Sequence, residues 1–132
     1  MATSSSPQQP TLSRIRAIER GLPYRRIDKL IRELCETDSR IAHLVQIAPR
    51  TLARRKKEGI LKPDESERVD RIERIYRLAV ELFEGDKTQA VQWLKEPNRG
   101  LANRAPLDFS RTELGAREVE NLIGRLEHGV FS

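Results

Sequence analysis

The sequence predicts an all-α fold of two small lobes, a helix-turn-helix lobe followed by a second helical lobe. Three observations carry this. Apolar residues recur at helical spacing, as in Ile27, Leu30, Ile31 and Leu34, an i, i+3, i+4, i+7 stripe. Breaks at Gly21–Pro23, Lys62–Pro63 and Pro97–Gly100 separate the periodic segments. Aromatic residues are only 5% of the 132, too few for a β-sandwich or for a platform that stacks single-stranded nucleic acid.

Taken in order, residues 1–10 (MATSSSPQQP) have no apolar period and are expected to form a disordered tail. Thr11–Arg20 can begin a helix, with Leu12, Ile15 and Ile18 at helical spacing. The Ile27–Leu34 stripe predicts the next. Thr37 or Asp38 can cap a short helix carrying Ile41, Ala42, Leu44 and Val45. Gln46-Ile47-Ala48 then reads as a tight turn. Pro49 suits the first position of a helix that runs to Glu58 and stops at Gly59. After Lys62-Pro63, Asp64 can cap a long helix from Glu65 to about Phe83, with Val69, Ile72, Ile75, Tyr76, Ala79, Val80 and Leu82 on its apolar side. Asp86 can cap another from Lys87 to about Glu96. Pro106–Phe109 reads as one short turn of helix. The last helix runs from Thr112 to about Glu127, with Val119, Leu122, Ile123, Leu126 and later Val130 facing inward. The expected division is a tail at 1–10, a helix-turn-helix region at 11–62 and a second helical region at 63–132.

Charge is divided more sharply than its sum of +5 suggests. Residues 11–62 hold fourteen Lys/Arg against six Asp/Glu, a balance of +8; residues 63–132 hold eleven against fourteen, or −3. A basic front and a mildly acidic back suit two partners, and the front suits a polyanion. The row Arg68, Arg71, Arg74 and Arg77, with Glu67, Asp70 and Glu73 near it, is expected to be a salt-bridged solvated face. The single Cys35 excludes an internal disulfide and a cysteine zinc site, and its place after Leu34 predicts a buried small hydrophobe. No apolar run is long enough for a signal peptide or a membrane span, so a cytoplasmic protein is expected.

The basic segment has the layout of a helix-turn-helix. Ala42 supplies the small residue where two helices cross, and Ile41, Val45, Ile47 and Leu52 fall where they lock the pair. The turn position that is commonly Gly is Gln46. The second helix carries five Lys/Arg among the nine residues from Pro49 to Lys57. In a major groove, Arg50, Thr51 and Arg54 would reach base edges, and Arg55, Lys56 and Lys57 would take phosphates. The same face is also compatible with a solvated basic surface.

No nucleophile–base pair, glycine-rich phosphate loop or metal cluster is visible, so the sequence predicts no enzyme, cofactor or small-molecule substrate. Trp93 can be core filling or an interface anchor. Pro97-Asn98 reads as a helix stop with side-chain hydrogen bonding to the turn. His43 reads as a partly exposed structural residue.

Several segments carry a resemblance by their order and spacing: Arg50-Thr51-Leu52-Ala53-Arg54-Arg55, Ala90-Val91-Gln92-Trp93-Leu94, Pro97-Asn98, Ala105-Pro106-Leu107-Asp108, Thr112-Glu113-Leu114-Gly115-Ala116 and Arg125-Leu126-Glu127-His128-Gly129-Val130. From about Gly21 onward the chain resembles the antitoxins of the Xre/MbcA/ParS type, which join an Xre-like helix-turn-helix to a C-terminal toxin-binding domain. The resemblance implies a cognate RES-type toxin that degrades NAD or transfers ADP-ribose from it, and operator DNA for autorepression. A homodimer is expected on other grounds: a chain of 132 residues, 37% of them apolar, has little apolar surface to spare. The resemblance also favours a terminal segment, with Arg125, Glu127, His128, Gly129, Val130 and Phe131, that docks on the toxin and obstructs its active site. The alternative for that segment is a helix end at which Gly129 terminates and Val130 packs back on the core. A free-standing helix-turn-helix regulator, or an interaction scaffold without DNA binding, are the alternative functions.

Overall fold

A computed structural model describes residues 8–129. Residues 1–7 of the tail expected at 1–10, and the expectations for Val130 and Phe131, lie outside the described residues. Eight α-helices are present among the described residues: α1 (Gln9–Arg20), α2 (Arg25–Leu34), α3 (Asp38–Val45), α4 (Pro49–Glu58), α5 (Pro63–Leu82), α6 (Lys87–Lys95), α7 (Pro106–Phe109) and α8 (Glu113–Glu127). A single 3-10 turn at Arg99–Leu101 precedes α7. The described residues form no strand, only the isolated bridges Pro23–Ile60 and Asn98–Arg104. No described helix is long and apolar enough to cross a membrane.

Local chemistry explains most boundaries. Thr37, Asp86 and Thr112 cap α3, α6 and α8, each side-chain oxygen accepting the amide of the third residue on. Gln9 and Pro10, expected in the tail, instead open α1, where a proline without an N–H loses no helical bond. Asp64 is not the cap of α5. That helix starts two residues earlier than expected, at Pro63, and the Glu65 carboxylate reaches back to the Lys62 amide at 2.9 Å. Cys35 is exposed rather than buried: it ends α2 in the left-handed region (φ 52°), past the last inward position at Leu34.

The organising element is α5. It packs against α1, α2 and α3 on one side and against α6 and α8 on the other. Val69, Ile72, Ile75, Tyr76 and Ala79 bury its apolar stripe. The core continues through Ile27, Leu30 and Leu34 of α2, Ile41, Leu44 and Val45 of α3, and Val119, Leu122 and Ile123 of α8. Trp93 is half-buried, tilted 58° against Phe83 with ring centroids 6.3 Å apart, so it packs on the edge of this core.

The expectation that α5 carries a solvated ionic face is corrected in part: Glu67 and Arg77 are exposed, but three α5 carboxylates are buried, and each holds an arginine from a different helix. Glu65 takes Arg55 of α4 at 2.7 Å, Asp70 takes Arg14 of α1 at 2.7 Å, and Glu73 takes Arg26 of α2 at 2.6 Å. These hydrogen bonds raise the pKa of all three guanidinium groups. Two of the α5 arginines reach α8 instead: Arg71 pairs with Glu113, and Arg74 with Glu113 and Glu120. Pairs of this kind contribute orientation more than net stability.

Candidate functional site

α3 and α4 form the helix-turn-helix. Ile41, Ala42, Val45, Ile47 and Leu52 are all buried at their junction, as the spacing predicts. The turn has no glycine, and Gln46 itself adopts φ 56°, ψ 44°, a left-handed conformation that costs a residue with a Cβ roughly 1–2 kcal/mol. Several contacts hold it there. The Ile47 amide donates to the Ala42 carbonyl at 3.0 Å, closing a Schellman turn. Arg68 of α5 donates to the Val45 carbonyl at 2.7 Å and to the Gln46 carbonyl at 3.3 Å. Arg111, in the α7–α8 connection, donates to the His43 carbonyl at 3.0 Å. In return, the Arg111 carbonyl accepts from the Gln46 side chain and from Arg71. Two guanidinium groups therefore satisfy the open carbonyls at the end of α3, where the helix dipole also favours a cation. Sequence reasoning missed Arg68 and Arg111, because their partners are backbone carbonyls 23 and 68 residues away.

The outward face of α4 is basic. Arg50, Ala53, Arg54 and Lys57 stand at i, i+3, i+4 and i+7 and are all exposed. Lys56 is exposed on one flank and Thr51 half-buried on the other. Among the described residues none of Arg50, Arg54, Lys56 and Lys57 takes part in an ion pair. Five of the six residues expected to contact DNA are thus brought to one surface.

Arg55 is the exception. It lies three residues after Leu52 and faces inward with it, 7% exposed. Its Nε and Nη2 reach the two Glu65 oxygens at 2.7 and 3.0 Å, and Nη1 reaches Glu58 at 3.1 Å. Each of its three nitrogens is engaged by a carboxylate, so it clamps α4 to the first turn of α5 and does not face a phosphate. The i, i+3 spacing from Leu52 was the sequence signal for this.

Burial pushes the Glu65 carboxyl upward, but hydrogen bonds from Arg55 and the Lys62 amide outweigh it and leave it below its ordinary 4.5. A depressed carboxyl contributes stability above its unfolded pKa, and that contribution is lost as pH falls through the folded value. Urea midpoints are therefore expected to drop below about pH 4.5, and to drop less in a Glu65→Gln variant. Parallel acid profiles for the two proteins would count against this role for Glu65.

α8 finishes at Glu127, with Leu126 its last half-buried residue. Arg125, Glu127, His128 and Gly129 are exposed, and Gly129 turns the chain at φ 64°. Four of the six expected toxin-contact residues thus share one exposed helix end. Asn98 behaves as expected of a helix stop, its side chain accepting the Gly100 amide at 2.8 Å. His43 is exposed, with its carbonyl engaged by Arg111. The most exposed large apolar residue of the described chain is Leu114, 77% exposed at the start of α8. It borders a groove with Arg104, Phe109 and Glu118, and Arg104 stacks on the Phe109 ring at 5.5 Å.

The described architecture is that of a helix-turn-helix protein whose basic helix is braced by a second helical unit. Residues 13–80 match the Antitoxin Xre-like helix-turn-helix domain, and residues 78–129 match the Antitoxin Xre/MbcA/ParS C-terminal toxin-binding domain. A Photorhabdus laumondii protein named Antitoxin Xre is 40% identical over 116 residues, 87% of this chain and 78% of that protein. A Yersinia enterocolitica protein of the same name is 51% identical over 87 residues, 65% of this chain; the match spans 59% of that protein's length. The chain belongs to the Xre family of antitoxins.

Proposed function

We propose that this chain neutralises a cognate RES-type toxin stoichiometrically and, as a homodimer in the cytoplasm, represses its own operon. DNA reading is assigned to the lobe at 11–62 and toxin binding to the lobe at 63–132, with α5 as the helix on which both are built. The observation that carries the DNA half is the sorting of α4. Its one inward arginine, Arg55, is consumed by Glu65, while Arg50, Arg54 and Lys57 share an outward stripe. An unneutralised basic stripe on the second helix of this motif suits a major groove, with Arg50, Thr51 and Arg54 at base edges and Lys56 and Lys57 on phosphates. The toxin half is supported by the matched C-terminal domain and by the exposed end of α8. Obstruction of the toxin's active site needs no catalytic group on this chain.

Two experiments test the proposal. Co-expression with the product of the neighbouring reading frame is expected to rescue growth and to yield a copurifying complex; absence of both removes the toxin half. Fluorescence-anisotropy titration on the DNA upstream of the gene tests the other half. Lys57→Ala is expected to weaken binding uniformly across sequences and to reduce the slope of log K against log salt by about 0.9. Arg54→Ala is expected to relax base preference at a cost of about 1–3 kcal/mol. Wild-type binding that ignores both sequence and salt would remove the operator reading.

A further inference from the structure

α8 has two faces of opposite kind. Its inward face is spoken for: Ala116, Val119, Leu122 and Ile123 are buried, Glu113 pairs with Arg71 and Arg74, and Glu120 pairs with Arg74. The outward face is not. Leu114, Glu118, Asn121 and Arg125 stand at i, i+4, i+7 and i+11, which about 3.6 residues per turn brings into one line roughly 17 Å long. All four are exposed. Among the described residues neither Glu118 nor Arg125 makes an ion pair.

The two ends of this line differ. At the first turn of α8 it opens into the groove that Leu114 shares with the half-buried Phe109, whose ring lies under Arg104. An apolar patch rimmed by charged side chains marks a protein contact. At the last turn the line reaches Arg125 and then His128, the exposed helix end assigned above to the toxin. That end is polar: Arg125, Glu127, His128 and Gly129 offer no apolar anchor. A stable interface needs an apolar centre inside its polar rim. Of the three large apolar residues exposed among the described ones, Leu114 alone lies within residues 78–129, the matched toxin-binding domain; Ile15 and Ile60 lie outside it. We propose that the toxin lies along the whole outward line of α8, from the Leu114 groove to the helix end. The toxin surface that fits is an apolar knob seated against Leu114 and Phe109, with an acidic group toward Arg104 and a basic one toward Glu118. The proposal rests on the toxin reading above and adds the anchor that the helix end lacks.

Calorimetric titration of the full chain into the purified product of the neighbouring reading frame tests it. Leu114→Glu is expected to weaken the complex by at least about tenfold. Its thermal melt should not fall, because the side chain is outside the core and the first turn of a helix favours a carboxylate. Asn121→Arg, in the middle of the line, is expected to weaken the complex as well, and it decides the matter if Leu114→Glu does not fold. Gln92→Arg, exposed on α6 in the same domain but off this face, is expected to bind as the wild type does. A wild type that does not bind would overturn the toxin reading itself. A wild type that binds, with Leu114→Glu and Asn121→Arg binding equally well, would overturn this face alone. So would a Leu114→Glu chain that loses its own dimer in sedimentation while its toxin affinity is unchanged, since the groove would then hold a second copy.

Discussion

Gly115→Ala is expected to destabilise the protein by about 3 kcal/mol, within the upper range for forced overpacking, read as a lowered urea midpoint. Gly115 lies in the first turn of α8, where its amide donates to the Thr112 hydroxyl at 3.0 Å. A methyl group there would lie 1.7 Å from the Phe109 carbonyl oxygen, 2.9 Å from its carbon and 3.1 Å from the Thr112 hydroxyl. The main obstacle is backbone and cannot rotate away. Nor can the α7 backbone yield easily: Ser110 is fully buried, and its hydroxyl and amide both bond the Pro106 carbonyl, at 2.7 and 3.0 Å. The next residue is Arg111, so any displacement would also pull on the contacts that hold the Gln46 turn. Operator affinity should fall together with stability. Gly124→Ala supplies the contrast. A methyl group at Gly124 meets nothing within 4 Å, and in mid-helix it should stabilise by roughly 0.4–1 kcal/mol. Equal effects of the two substitutions would refute the close-approach argument.

Removing residues 129–132 is expected to abolish growth rescue by the antitoxin and to weaken the toxin complex by about 100-fold or more, without lowering the melting temperature. The last fully buried residue of α8 is Ile123, and Leu126 closes the packed side of the helix. Nothing described from Glu127 onward contributes to the core, and Gly129 already turns the chain out of the helix. Truncation therefore separates partner binding from folding. Operator binding by the shortened protein should match that of the full chain. Undiminished neutralisation would show that the toxin is held elsewhere, for which the groove lined by Phe109 and the exposed Leu114 is an apolar candidate.

Helix order was legible in the sequence because periodicity, caps and prolines are local signals. The Ile27–Leu34 stripe, the Thr112 cap and Pro49 each specify an element without help from the rest of the chain. The basic face of α4 was legible for the same reason. What escaped was polar chemistry at long range. Asp70 and Glu73 look like surface residues of an arginine-rich helix until α1 and α2 bring Arg14 and Arg26 to them. Arg55 is indistinguishable by type from Arg54, and only its register with Leu52 turns it inward. Cys35 follows Leu34, but the left-handed turn that ends α2 reverses its direction. The turn at Gln46 shows the same limit: without a glycine it is a weak motif by itself, and its support comes from α5 and the α7–α8 connection.

The carbonyl of Arg111, shared by Gln46 and Arg71, bears on how this chain can be cut or recombined. Residues 13–80 match a domain of their own, yet a fragment ending there would leave the recognition helix without the strut that comes from residue 111. The two matched domains are thus not interchangeable modules. A chimaera that grafts the first half onto a foreign C-terminal domain should bind operator more weakly than the intact chain, unless the graft restores a guanidinium and a carbonyl at that one position.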